Sequence, residues 1–122
     1  MPSRSHKAHA AYAQGLAAED HACAALTADG WTIRARRLRT GAGEIDAIAE
    51  KDGLLAIIEV KHRPRFADAA IALGPRQQAR LVAACDLVLA AHPDWGAAGV
   101  RFDLLLVDGN GAVRRVADAF RG

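Results

Sequence analysis

A chain of 122 residues, about half of them apolar and a quarter charged with both signs mixed, has the composition of one globular domain. That length buries enough apolar surface to fold without disulfides or a structural metal, and its two cysteines, far apart and outside any C-x-x-C pattern, read as small core residues. The formal net charge of +2 permits contact with a polyanion without demanding it, while the alanine-rich, aromatic-poor make-up argues against an all-β sandwich and against single-strand binding by base stacking.

Residues 1–7 read as a disordered basic start with no apolar stretch behind them to form a secretory signal. No apolar run approaches the ~20 residues of a membrane span, so a cytoplasmic protein is expected. Residues 8–28 are dense in helix formers, and Gly30 supplies the stop. Tyr12, Leu16, Cys23 and Leu26 mark one face of this helix, and Glu19 lies in the middle of that face. A carboxylate is thus aimed towards the core side.

Residues 31–39 read as a strand in which Trp31, Ile33 and Ala35 alternate with Thr32, Arg34 and Arg36. After the turn Thr40-Gly41-Ala42-Gly43, residues 44–50 form a second strand, with Ile45, Ala47 and Ala49 on one face and Glu44, Asp46 and Ile48 on the other. Lys51-Asp52-Gly53 is a hairpin turn, and the nearly continuous apolar run 54–61 is a central strand covered on both faces. Beyond Pro64 the chain becomes irregular, with a short helix around residues 68–72. A long helix over 75–91 then buries Leu81, Ala84, Cys85, Val88 and Leu89, with Pro75 in its first turn. A glycine-containing loop at 94–99 leads to an apolar strand over 100–107. Asp108-Gly109-Asn110-Gly111 turns it into a last strand near 113–117. The order helix, three-strand meander, helix, two strands predicts an α/β domain over 8–122, a mixed sheet of about five strands flanked by helices.

Chemistry concentrates at one end of the central hairpin. Folding residues 44–61 about Asp52 and Gly53 brings Asp46 towards Glu59 and Lys61, and the last two share a strand face because they are two residues apart. Charges at the end of so apolar a strand cost several kcal/mol each unless paired or bound to a metal, on the order expected for buried ions. A divalent cation with a taste for hard oxygens would compensate the two carboxylates. A salt-bridged strand end, with Lys61 neutralising the acids, stays open from spacing alone.

Gly43-Glu44-Ile45-Asp46 followed by Ile58-Glu59-Val60-Lys61-His62-Arg63 resembles the G-E-I-D … V-E-V-K-x-R signature of the YraN-like family. This family of small bacterial proteins is placed in the restriction-endonuclease-like PD-(D/E)XK nuclease superfamily. The resemblance spans nearly the whole chain, since Gly15, Glu19, Ala22, Leu26 and Gly30-Trp31 match its helical segment. Arg101-Phe102-Asp103 and Ala119-Phe120 match its closing strands. It implies a restriction-endonuclease-like fold and a Mg²⁺- (or Mn²⁺-) dependent endonuclease cutting phosphodiester bonds in DNA, with branched or junction DNA as a candidate substrate. Asp46, Glu59 and Glu19, with the Val60 backbone carbonyl, would hold the metal. Lys61 would assist the attacking water. Glu44, on the Asp46 face of its strand, is either a further ligand or only an edge charge.

Two departures are visible: Arg76-Gln77-Gln78-Ala79-Arg80 stands where the family usually has a lysine, and no glycine follows Phe66. Gln77 or Gln78 could touch phosphate or the active-site water, while Arg76 and Arg80 take the basic role. Arg34, Arg36, Arg37 and Arg39 on the first strand, with Arg63 and Arg65 after the third, form an electrostatic footprint for a DNA backbone. A homodimer is compatible with the resemblance, since related resolvases dimerise. The competing class is a non-catalytic nucleic-acid-binding or scaffolding protein that retains the fold.

Overall fold

In a computed structural model, the backbone is described for residues 4–63 and 73–122, and side chains from residue 13 onwards within those stretches. The elements follow the order α1 (Arg4–Ala28), β1 (Thr32–Thr40), β2 (Gly43–Lys51), β3 (Leu54–His62), α2 (Pro75–Ala91), β4 (Gly99–Val107) and β5 (Val113–Phe120). Five strands form one sheet in the order β1-β2-β3-β4-β5, antiparallel except where β3 and β4 run parallel. The α2 crossover is what permits that parallel pair. Fold class and element order are those expected from the sequence, and the mixed sheet with its flanking helices fits a restriction-endonuclease-like fold. One boundary differs: α1 begins at Arg4, so residues 4–7, expected to be disordered, are helical. The short helix expected at 68–72 and the loop around Phe66 lie outside the described residues, as does the side chain of Tyr12.

Each helix covers one face of the sheet. Ala18, Ala22, Cys23 and Leu26 of α1 pack on Ala47, Ala49, Ala56 and Ile58, with small residues letting the helix approach closely. Leu81, Ala84, Cys85 and Val88 of α2 cover Ile45, Ile48, Leu55 and Ile57 on the opposite face. Both cysteines are therefore core residues on different faces, and burial pushes the Cys85 thiol up to about 11. The central position of β3 follows from its composition, since Leu55 through Ile58 are all fully buried.

Local chemistry ends these elements where the sequence marked them. After α1, Gly30 adopts φ 88 while its N–H bonds the Thr27 carbonyl and the Trp31 N–H bonds the Leu26 carbonyl. This paired closure satisfies helix-end carbonyls and requires a residue at ease with positive φ. Asp52 and Gly53 both have positive φ (52 and 80), the hairpin turn whose twist matches the flanking strands. Trp31 then packs under two arginines of the last strands: the guanidinium carbons of Arg101 and Arg115 lie 5.6 and 4.5 Å from its ring centroid. Both arginines converge on Asp103, whose fully buried carboxylate accepts from Arg101 Nε and Nη2 (2.7 and 2.8 Å), Arg115 Nε (3.1 Å) and the Asp118 N–H (2.9 Å). The Arg-Phe-Asp segment thus locks β4 to β5. No helix among the described residues is long and apolar enough to cross a membrane.

Candidate metal centre

Strand β3 carries Glu59 to the end of its buried run, where the side chain is 8% exposed. Lys61 Nζ stands 3.3 Å from Glu59 Oε1, and Arg80 Nη2 of α2 lies 3.8 Å from Oε2. That second oxygen is buried and has no hydrogen bond among the described residues. Arg80 is fixed from the other side by donating from Nη1 to the Glu44 carbonyl at 2.9 Å. Its aliphatic stem crosses Gly43, where a Cβ would come within 2.8 Å of Arg80 Cδ and where φ is 135. Glycine in the Gly43-Glu44-Ile45-Asp46 motif therefore makes room for an arginine from another element. Sequence reading assigned Arg80 only to phosphate contact; its seat beside Glu59 depends on α2 packing, which spacing does not reveal.

Asp46 reaches the same place through a break in β2. Strict alternation would put Ile48 on the Asp46 face, but Ile45 and Ile48 both pack under α2 while Ala47 and Ala49 pack under α1. The alternation slips between Asp46 and Ala47, and the β2–β3 ladder pairs no residue beyond Ala47↔Ile58. In place of the next ladder bond, Val60 donates its N–H to Asp46 Oδ2 at 2.8 Å. The side chain substitutes for the backbone. On β1 the Arg36↔Ala47 and Leu38↔Ile45 pairs leave Arg37 opposite Asp46, and Arg37 is itself left-handed (φ 47). Both strands are irregular at one rung, and Arg36 and Arg37, neighbours in sequence, both line the α1 side.

Glu19 completes the group from α1. Its side chain is 13% exposed, Arg37 Nε lies 3.4 Å from Oε2, and that oxygen too is buried without a hydrogen bond. Glu19, Glu44 and Asp46 can each offer one oxygen such that all three lie within 4.8 Å of one another. Glu59 stands outside this trio, yet its charge acts on Asp46. Burial, then the repulsion of Glu59 and Glu19, raises the Asp46 carboxyl from 3.8 to about 7 against the opposing Val60 N–H and Lys61. Burial likewise raises Glu19, with Arg37 and Arg36 opposing. The donor set is wholly hard oxygen, Glu19 in it and Glu59 beside it each bury an oxygen with no hydrogen bond among the described residues, and the acids repel one another. These features fit a divalent cation such as Mg²⁺ or Mn²⁺.

The remaining sequence candidates separate. Arg36, Arg37 and Arg39 line an open depression of about 480 Å³ with Gly15, Leu16, Glu19 and Glu44. Arg36 pairs with Asp20 at 2.6 Å, and Arg39 lies 3.9 Å from Glu44. Arg34 instead pairs with Glu50 at 2.7 Å, whose other oxygen accepts from the Gly96 N–H, a structural tie between β1, β2 and the loop before β4. Gln78 donates to the Leu73 carbonyl at the start of α2, Gln77 is half-buried and Arg76 exposed. Arg63 donates to the His62 carbonyl, and Arg65 lies outside the described residues. At Val60 the N–H is taken by the Asp46 carboxylate.

Residues 18–107, which hold every one of the acids just described, match the model of the uncharacterised protein family UPF0102. The chain belongs to the UPF0102 family. A UPF0102 protein of Granulibacter bethesdensis is 64% identical over 107 residues, covering 88% of this chain and 68% of that protein. A second, from Azorhizobium caulinodans, is 47% identical over 119 residues, covering 98% and 90%, and one from Rhodopseudomonas palustris is 45% identical over 111 residues, covering 91% and 85%. The UPF0102 match takes in the rung of Arg37 and Asp46, the Glu59-Val60-Lys61 strand end and the Arg101-Phe102-Asp103 segment alike.

Proposed function

We propose that this UPF0102 chain is a divalent-metal-dependent nuclease of the PD-(D/E)XK type, hydrolysing phosphodiester bonds in DNA. The observation that carries the reading is the convergence of Glu19, Glu44 and Asp46 within 4.8 Å, with Glu59 and Lys61 beside them on the adjoining strand. Glu19 and Glu59 each bury one oxygen that faces an arginine at ion-pair distance (3.4 and 3.8 Å) with no hydrogen bond among the described residues, which leaves room for a cation to compete.

Glu19, Asp46 and Glu44 would hold Mg²⁺ or Mn²⁺, with Glu59 and the Val60 carbonyl as further donors. A bound divalent cation supplies polarisation of a phosphoryl oxygen and a water of lowered pKa. The chain's own groups do the positioning. Val60 fixes the orientation of the Asp46 carboxylate through its N–H. Asp46, at about 7, gives up its proton near neutrality, when a cation is to be held. Lys61 places an ammonium 3.3 Å from Glu59, where it can hold the attacking water or offset charge developing on phosphate. Arg36, Arg37 and Arg39 wall the adjoining depression and face the backbone of the bound strand. Branched or junction DNA is the substrate class we favour, because phosphate contacts of this kind read shape rather than sequence.

Purified protein incubated with branched, flapped, single-stranded and duplex DNA, with Mg²⁺, Mn²⁺ or chelator, tests the reading. Metal-dependent cleavage lost in Glu59→Ala and Lys61→Ala is expected. Cleavage that survives both substitutions, or binding without cleavage on every substrate and metal, would overturn it.

A further inference from the structure

Arginines stand against the acids of the candidate centre and offset part of their mutual repulsion. Arg37 Nε is 3.4 Å from Glu19 and Arg39 Nε is 3.9 Å from Glu44, and both arginines come from β1, the strand that walls the open depression. Their side chains are 42% and 91% exposed, so the guanidinium ends can turn to solvent while the strand stays fixed. Arg80 is different: it is pinned by the Glu44 carbonyl and by Gly43. Arg37 is held at the acids by a left-handed backbone conformation, φ 47, that an arginine adopts only at a cost and that signals a constraint beyond pairing.

Resting on the nuclease reading, we infer that Arg37 and Arg39 are exchange partners: they neutralise Glu19 and Glu44 in the absence of a divalent cation and turn to the DNA backbone when a cation takes the acids. A cation cannot share Glu19 and Glu44 oxygens with guanidinium groups at these distances without weakening the ion pairs, and the displaced guanidiniums line an open depression of about 480 Å³. Metal and DNA then bind with positive coupling, reciprocal by thermodynamic necessity. In metal-free protein Arg37 and Arg39 stand against Glu19 and Glu44, so fewer guanidiniums meet phosphate and DNA is held more weakly. The cation both completes the acid site and frees the anion site.

The test needs no cleavage. Affinity for a fluorescently labelled branched DNA is measured by anisotropy in chelator and in Ca²⁺ for the wild type, Glu19→Gln, Glu44→Gln and the doubly substituted Glu19→Gln/Arg37→Gln. Asp86→Asn, an exposed position on α2, serves as a charge-matched control. One freed arginine that neutralises one phosphate strengthens binding about eight-fold at about 0.1 M salt, from a slope of about −0.9 per phosphate, and steepens the salt dependence by that amount. In chelator, Glu19→Gln and Glu44→Gln should each bind tighter than wild type by that factor. Asp86→Asn should bind as wild type, and removing Arg37 from Glu19→Gln should abolish the gain. If both Gln variants match Asp86→Asn, or if the double variant keeps the gain, the exchange is refuted while the nuclease reading stands. Wild-type protein that binds no DNA in either condition overturns both. Thermal unfolding of each variant accompanies the titrations, and Glu44→Gln, on an edge less buried than Glu19, keeps the test decisive if Glu19→Gln does not fold.

Discussion

Replacing Asp46 by Asn should make the metal-free protein more stable above neutral pH, not less. The Asp46 carboxyl is raised from 3.8 to about 7, first by burial and then by Glu59. A folded-state value above the unfolded one means the folded chain keeps a proton that the unfolded chain has lost across that window. Stability from this group is intact below about pH 4, falls as pH rises towards 7 and is gone above it. About three pH units at about 1.4 kcal/mol each come to about 4 kcal/mol. Asn offers Val60 the same acceptor and cannot ionise, so it escapes the loss. Urea unfolding in chelator, followed by circular dichroism at about pH 5 and about pH 8.5, should show the wild type losing roughly 2–4 kcal/mol relative to the variant between the two conditions. Glu19 is raised as well, so the variant should keep a shallower slope of the same sign. Mg²⁺ at a hundred times its dissociation constant should restore about 2.7 kcal/mol to the wild type at the higher pH and nothing to the variant. Parallel pH profiles for the two proteins, or a variant less stable than wild type at pH about 8.5 without metal, would refute the account of a self-repelling centre.

Gly43→Ala should cost more than about 1 kcal/mol, because a side chain there has the wrong backbone conformation and strikes Arg80; the same denaturant titration measures it, and a neutral result would remove Arg80 from its assigned seat. Asp103→Ala should cost about 3 kcal/mol or more by leaving Arg101 and Arg115 without their buried partner, while Mg²⁺ affinity of the folded protein by calorimetry stays unchanged. A loss of metal affinity without a loss of stability would show that the Arg-Phe-Asp lock reaches the acid centre after all.

Most of the fold was legible because its signals are local. The span Pro75–Ala91 of α2 follows from proline at the start and an apolar stripe along its length. Asp52-Gly53 announces a hairpin through the two positive φ values it requires. Burial of β3 follows from five consecutive apolar residues between Gly53 and Glu59. Asp46, Glu59 and Lys61 were legible for the same reason, since a two-residue turn fixes which strand ends meet. What spacing could not reveal depends on contacts between distant elements. Arg80 reaches Glu59 only because α2 lies across the β2–β3 face, and Glu44 joins Glu19 only because α1 crosses the other. The start of α1 at Arg4 escaped for a different reason: a polar helix turn has no apolar stripe to mark it.

The alternation rule failed at one rung, and that rung holds the chemistry. Period-two reading put Ile48 beside Asp46 and turned Arg36 and Arg37 to opposite faces. The chain instead slips on β2 between Asp46 and Ala47 and turns left-handed on β1 at Arg37. A regular ladder there would pair Asp46 backbone to backbone with β3 and leave the Val60 N–H to the strand. The irregular one hands that N–H to the Asp46 carboxylate and leaves the carboxylate facing Glu19 and Glu44. Local strain, a buried carboxylate that repels its neighbours and two buried carboxylate oxygens without hydrogen bonds among the described residues all raise the energy of the metal-free fold. A sequence optimised only for stability would have kept the alternation and placed an apolar residue at position 46. Departures from local consistency that gather around one rung are what a functional constraint leaves in a fold.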